Sequence, residues 1–299
     1  MQTRLIAEKS VVEADHILQE FSDENWLRCD YFVDQYVGRD VHRPFWYGQS
    51  TLLFGKRDPS YRGFHMVANA NNLLNKDLAG VKPGPVCMGQ DINEPYPGVE
   101  QQEMLTRKCL DVLRLHKLPV HIVTRSTGIL RDIDILRELT QNGGCRVTVL
   151  IPTLDKKLLM ALDPEGPEPP ERLDLVSRLR EEGITAGIAI IPLIPYAMRP
   201  KGIDEMFARA RKIDASYVVD RPLTIIEDLR EDFFAEIEES TALKRFGPRL
   251  RKMYHKRTAP YGKTIQQLNR ACFDASMEHG LPRQLPAWKQ KDEEAEDGS

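Results

Sequence analysis

The stretch PVHIVTRSTGILRDIDILRELTQNGGCRVTVLIPT, residues 119–153, changes its period twice. VHIVTRS (120–126) is a short apolar run that ends in polar residues. ILRDIDILRELT (129–140) spaces its apolar residues at helical intervals and stops at the Asn142–Gly144 breaker, and CRVTVLIPT (145–153) is a second apolar, β-branched run. Strand, helix and strand in this order predict a βαβ unit with its two strands parallel and buried on both faces.

The same unit recurs on either side. PVCMGQDI (85–92) is a strand entered through the turn residues KPGP, followed by an amphipathic helix over 99–116 whose inner face carries Met104, Leu105, Cys109, Leu110, Val112 and Leu113. A helical pair from Lys156 to Glu182 is broken by DPEGPEPP. TAGIAIIPLIP (185–195), a helix over 204–213 and ASYVVDRP (215–222) complete the series. No GxGxxG follows the early strands, so an open dinucleotide-binding sheet has no support. The expected fold is α/β: a partial (β/α)6 TIM-like barrel with a C-terminal helical extension. In such a barrel the chemistry sits beyond the C-terminal ends of the strands, here Gln90–Glu94, Thr124–Ser126, Ile151–Thr153, Ile191–Pro195 and Asp220–Pro222. The expected division is an N-terminal segment over 1–25, the barrel over 26–223, the extension over 224–285 and a disordered charged tail over 286–299.

Composition narrows the function. The chain has 299 residues and a net charge of −3, neither strongly basic nor strongly acidic. No apolar run approaches the ~20 residues that span a bilayer, and MQTRLIAEKS lacks an apolar secretory stretch, so a cytoplasmic protein without a membrane partner is expected. The five cysteines, Cys29, Cys87, Cys109, Cys145 and Cys272, are scattered, which suits reduced, buried thiols and no CxxC-type metal site. Neither G-x-S-x-G nor HExxH occurs.

Several segments, taken together, carry a family resemblance. EPYPGVEQQEMLTRKCLDVL (94–113), PVHIVTRSTGILRDIDIL (119–136), TLDKKLLMALDPEGPEPPERLDLVSRLREEGI (153–184) and IPLIP (191–195) stand in the order and register of motifs in the radical S-adenosylmethionine proteins related to spore photoproduct lyase. The likeness extends over roughly residues 65–280. It implies a partial barrel and an S-adenosylmethionine site at the strand ends. Arg125 and Ser126 stand where the family's Thr-Lys-Ser helps hold the methionine carboxylate of that cofactor, and Thr153 is a further polar candidate. After the fifth strand the family often continues with Gly and Asn, whereas this chain has Tyr196, Ala197 and Met198.

The family's defining loop, CxxxCxxC after the first strand, supplies three thiolates to a 4Fe–4S cluster. Aligned through Tyr36, Gly38 and Tyr47, it falls on DQYVGRDVHRPFWYG (34–48), and the three cysteine places become Arg39, Arg43 and Trp46. A guanidinium stays protonated and offers a metal no lone pair. No cluster is therefore expected. Arg39, His42 and Arg43 either pair with Asp91 and Glu94 or face a small-molecule anion, and Trp46 either fills volume or offers a stacking platform for an adenine.

These readings converge on a cluster-free radical-SAM-like protein that binds or regulates and catalyses nothing. The alternatives are an S-adenosylmethionine enzyme with unusual cluster ligation and a barrel with non-radical chemistry. A basic run, LKRFGPRLRKMYHKR (243–257), follows the acidic IIEDLREDFFAEIEES (225–240). Relatives in the lyase branch act on DNA. The expectation here is a solvated helix neutralised by its acidic neighbour, with nucleic acid as the competing partner.

Overall fold

A computed structural model describes residues 9–21, 25–38, 64–89, 93–225, 227 and 230–288. The chain opens with β1 (Lys9–Val12), β2 (Leu18–Glu20), β3 (Tyr31–Val33), β4 (Tyr36–Gly38), β5 (Phe64–Val67) and α1 (Ala70–Leu78). The repeating part follows. It comprises β6 (Val86–Met88), α2 (Glu100–Glu103), α3 (Leu105–Leu115), β7 (Val120–Thr124), α4 (Ile133–Asn142) and β8 (Cys145–Leu150), then α5 (Lys156–Leu162), α6 (Pro169–Glu181), β9 (Thr185–Leu193), α7 (Pro200–Lys212) and β10 (Val218–Pro222). Three helices close the described chain: α8 (Arg230–Glu239), α9 (Gly247–Met253) and α10 (Lys263–His279).

A seven-stranded sheet in the order β2-β3-β6-β7-β8-β9-β10 carries the fold, and β3 through β10 pair in parallel. These are the six parallel strands the sequence predicts. Among the described residues the sheet does not close, so the barrel is partial. β2 adds an antiparallel edge, and β1, β5 and β4 form a separate three-stranded sheet. Among the described residues no helix is long and apolar enough to cross a membrane.

Side chains alternate between the two faces of a strand, and here the two faces meet different partners. Val120 and Ile122 of β7, Val147 and Val149 of β8, and Ile188 and Ile190 of β9 join the large core shared with the helices. Val123, Leu150, Ala189, Ile191 and Val219 point the other way, into a smaller core with Trp26, Leu27 and Leu285. Helices α3, α4, α6 and α10 thus cover one face, while residues 26–29 and 285–288 fill the hollow of the other. Gly187 makes this filling fit: a Cβ there would lie 2.4 Å from the Tyr217 ring. Ile265, Leu268, Cys272 and Ala275 of α10 belong to the helix-side core, so the C-terminal extension is packed onto the barrel.

Two predicted helices differ in detail. The helix over 99–116 breaks at Met104, which takes a left-handed φ of 53°. The buried Glu100 carboxylate accepts from the Thr106 N–H at 3.0 Å, capping α3 afresh and ending α2. The helix over 129–140 begins as a 3-10 turn, Thr127–Asp132, before α4. The proline-rich break separates α5 from α6, whose start carries a Glu168–Glu171 capping box. Residues 289–299 of the expected tail lie outside the described residues. Trp288 just before them donates to the Arg28 carbonyl and stacks on Arg146 at 4.0 Å.

The hollow face contains a hydrogen-bonded chain. His121 Nδ1 lies 3.2 Å from the Leu27 carbonyl, its Nε2 is 2.7 Å from the Thr148 hydroxyl, and Thr148 meets the Tyr217 hydroxyl at 2.8 Å. Burial first, and the nearby Arg146 charge second, push the His121 pKa down to about 3. The unfolded chain therefore takes up this proton near pH ~6.5 while the folded chain refuses it. Stability present above that pH is lost as the pH falls towards 3, by up to about 1.4 kcal/mol per unit from this group. Urea midpoints measured between neutral and mildly acid pH should fall more steeply for the native chain than for His121→Gln; parallel slopes contradict a neutral buried imidazole.

Candidate functional site

The site begins at the end of β6. Gly89 adopts φ +80°, and a Cβ there would sit 2.1 Å from the Val123 carbonyl and 2.5 Å from Pro95. That close passage lays Asn93, Glu94 and Pro95 over the end of β7. Glu94, itself buried, accepts from the Thr124 hydroxyl, from the Tyr96 N–H at 3.1 Å and from the Arg125 N–H at 3.1 Å. It is the hinge between the two strand ends.

Arg125 directly follows β7, in step with the inward residues His121 and Val123. The side chain is 13 % exposed, with Nε 3.5 Å from Glu94 and 3.4 Å from Asp163. Asp163 is in turn held by Arg172 at 2.5 Å, whose remaining nitrogens donate to the carbonyls of Leu150 and Pro167, each at 2.8 Å. Both contacts to Arg125 are ion pairs without hydrogen-bond geometry. Its Nε and Nη2, and Nδ2 of Asn93, are buried donors with no hydrogen-bond partner among the described residues. Such donors are costly unless an acceptor reaches them. What they fit is an anion, because a guanidinium takes carboxylate or phosphate oxygens through parallel N–H groups.

Beside this lies a second buried network. Glu100, 2 % exposed, accepts from the Tyr36 hydroxyl and from Arg131 at 2.6 Å. Asp132 accepts from Arg131 at 2.8 Å and Arg107 at 3.0 Å. Burial, reinforced by the Glu100 hydrogen bond, pushes the Tyr36 phenol up, and burial beside Asp132 does the same to Tyr96. Both phenols stay protonated. This network fastens β4, α3 and the 3-10 turn together, and its work is structural.

The other predicted site residues lie elsewhere. The Ser126 hydroxyl accepts from the Gly128 N–H at 3.2 Å and caps the 3-10 turn. The Thr153 hydroxyl accepts from the Asp155 N–H at 3.1 Å; it follows the outward parity of Val149 and Ile151 and faces away from Arg125. The three do not converge. Arg39, His42, Arg43, Trp46 and Asp91 lie outside the described residues. Strand-end position points to Asn93 and Glu94 alike, and the Asp163–Arg172 support falls within the segment 153–184 that carries the family resemblance. The latter two stand at the two ends of the proline-rich turn DPEGPEPPER, 163–172, and what the sequence does not show is that they pair and support Arg125.

All five cysteines are buried and lie on separate segments: Cys29 before β3, Cys87 in β6, Cys109 in α3, Cys145 at the start of β8 and Cys272 in α10. Burial pushes the Cys145 and Cys272 thiols up to about 12. Of the basic run, only Arg251 finds carboxylates among the described residues, Glu231 at 2.6 Å and Glu238 at 3.2 Å. The acidic helix therefore pairs with one residue of the run, and Lys244, Arg245, Arg249, Lys252, Lys256 and Arg257 are exposed, as a solvated helix would have them.

No family model matches the chain. An uncharacterized protein of Acidianus two-tailed virus is 28 % identical over 112 residues, 38 % of this chain and 36 % of that protein. One of Methanocaldococcus jannaschii is 24 % identical over 166 residues, 55 % of this chain and 61 % of that protein. The match thus spans less than two thirds of either relative. Among solved structures, spore photoproduct lyase complexed with dinucleoside spore photoproduct has a TM-score of 0.67 at 11 % identity, covering 93 % of this chain and 85 % of that one. A mutant of the same lyase with bound AdoMet and dinucleoside spore photoproduct has a TM-score of 0.66 at 12 % identity, over 91 % and 78 %. Streptococcus suis SuiB bound to S-adenosylmethionine reaches 0.50 at 13 % identity, over 93 % and 50 %. The chain therefore shares the fold of these radical S-adenosylmethionine enzymes; at such identities the likeness speaks to fold alone.

Proposed function

We propose that this chain is a radical-SAM-like protein that works without an iron–sulfur cluster, a cytoplasmic binding or regulatory protein that holds a small organic anion at its strand ends. The observation that carries the reading is Arg125: a buried guanidinium, steadied by two carboxylates, with donors left over and the Asn93 amide in the residue next to one of those carboxylates. S-Adenosylmethionine suits this donor set through its carboxylate, which Arg125 and Asn93 would hold.

The cluster does not suit the residues present. It needs three convergent thiolates, whereas the five thiols are buried on separate segments and the positions aligned with the family's cysteines are Arg39, Arg43 and Trp46. No radical step follows from these residues, and among the described residues no set of side chains favours an enzyme with other ligation. Fold likeness does not carry reaction type across once the reactive centre differs.

A second reading has its own support. Lys244, Arg245, Arg249, Lys252, Lys256 and Arg257 are exposed cations, and Arg249 and Arg257 lie over Tyr196 at 5.7 Å and Tyr261 at 4.7 Å. Cations interleaved with aromatics suit a nucleic-acid backbone and its bases.

Calorimetry with S-adenosylmethionine, S-adenosylhomocysteine and methylthioadenosine tests the first reading. Binding of a carboxylate-bearing compound should weaken in Arg125→Ala by roughly tenfold to a hundredfold, the loss of one charge-assisted bond of about 1.5–3 kcal/mol. No heat with any of the three, or equal affinity in the variant, would count against it. For the second reading, duplex DNA binding through four of these cations should weaken by roughly two orders of magnitude between about 50 and 200 mM salt. Absence of binding at low salt, or indifference to reversing the charge of Arg249 and Lys252, removes it.

A further inference from the structure

A cavity of about 550 Å³ lies on the helix side of the sheet, where the ends of β8 and β9 meet the first turns of α5 and α7. It is not the Arg125 site, with which it shares no lining residue. Its floor is apolar: Leu158, Ile190, Met198, Ile203 and Met206 are all buried. Thr153 stands at its edge, carried there by the outward parity that takes it away from Arg125.

Three cations from two segments surround the mouth. Arg199 and Lys201 flank the start of α7, which has no acidic residue in its first turn, and Arg245 reaches over from the 3-10 turn before α9. All three are exposed, and none has a carboxylate partner among the described residues. Two carboxylates also line the cavity, and each is engaged: Asp155 caps α5 by accepting from the Leu158 N–H at 3.1 Å, and Glu205 lies 3.8 Å from Arg209. The mouth is therefore cationic over an apolar floor, and the volume is that of a small-molecule site.

We propose that this cavity binds an organic anion with a compact apolar body, its sulfonate, phosphate or carboxylate group at Arg199, Lys201 and Arg245 and its body on the Ile190–Met206 floor. Neither half suffices alone. Exposed charge pairs contribute little in water, and burying the apolar body on the floor supplies what they lack. An extended polyanion would use the cations and leave the floor uncovered.

The probe is 8-anilinonaphthalene-1-sulfonate, an anion on a flat apolar body, with neutral N-phenyl-1-naphthylamine as its uncharged counterpart. Fluorescence titration of the full chain should show one saturable site for the sulfonate, at least tenfold tighter than for the neutral compound. Lys201→Glu and Arg245→Glu, both at exposed positions, should each weaken sulfonate binding tenfold or more without shifting the melting temperature. Arg125→Ala should leave it unchanged, which keeps this cavity distinguishable from the strand-end site. The proposal is overturned by non-saturable enhancement, by equal affinity for the neutral compound, by unchanged affinity in Lys201→Glu, or by loss of the site in Arg125→Ala.

Discussion

Glu94, Glu100, Asp132 and Asp163, carboxylates buried at or beside the C-terminal ends of the parallel strands, must each find donors, and the way they do so organises this end of the molecule. Glu94 draws on Thr124 and Arg125 and so locks the end of β6 to that of β7. Asp163 takes Arg172, which reaches back to the Leu150 carbonyl at the end of β8. Glu100 and Asp132 share Arg131 and fasten α3 to the turn before α4. Removing Glu94, Glu100 or Asp163 would leave a buried backbone amide or guanidinium without its acceptor, the situation in which buried pairs are costly to break. Arg125 is held in place by this constraint, which fixes its position without using up its hydrogens.

The repeating part of the fold was legible because its strands are apolar on both faces and its helices are amphipathic, so the period changes visibly at each junction. The first half was less legible for a physical reason. β3 and β6 have three residues each, and β1, β4 and β5 belong to a small separate sheet, too short for periodicity to speak. The break at Met104 was invisible because it depends on the side chain of Glu100 competing for the N–H groups of α3. Local pattern does not reveal such competition.

The site was legible in part. Arg125 follows from strand-end position, and Glu94 falls within the range that position singles out. Thr153 marks the limit of strand-end position alone: counted in twos from Val149, it belongs to the outer face, and the structure puts it on the outer cavity. The motifs that carry the family resemblance, Glu-Pro-Tyr with Glu100 and Leu-Thr-Arg, and Leu-Arg-Asp at 130–132, prove to be mostly members of the buried network. They specify how loops are tied to strand ends, which is why they speak to architecture more strongly than to chemistry.

On the proposed reading, a strand-end anion site and a thiolate-held cluster are separate in this chain. The first would rest on Arg125 and Asn93; for the second, the buried cysteines form no convergent trio among the described residues, although Cys29 and Cys87 share one core cluster. Anaerobic reconstitution with iron and sulfide tests this separation most directly. The expected result is about zero iron per chain after desalting and no broad thiolate-to-iron absorbance near ~400 nm. Stoichiometric retention of about four irons per chain with that absorbance would contradict it.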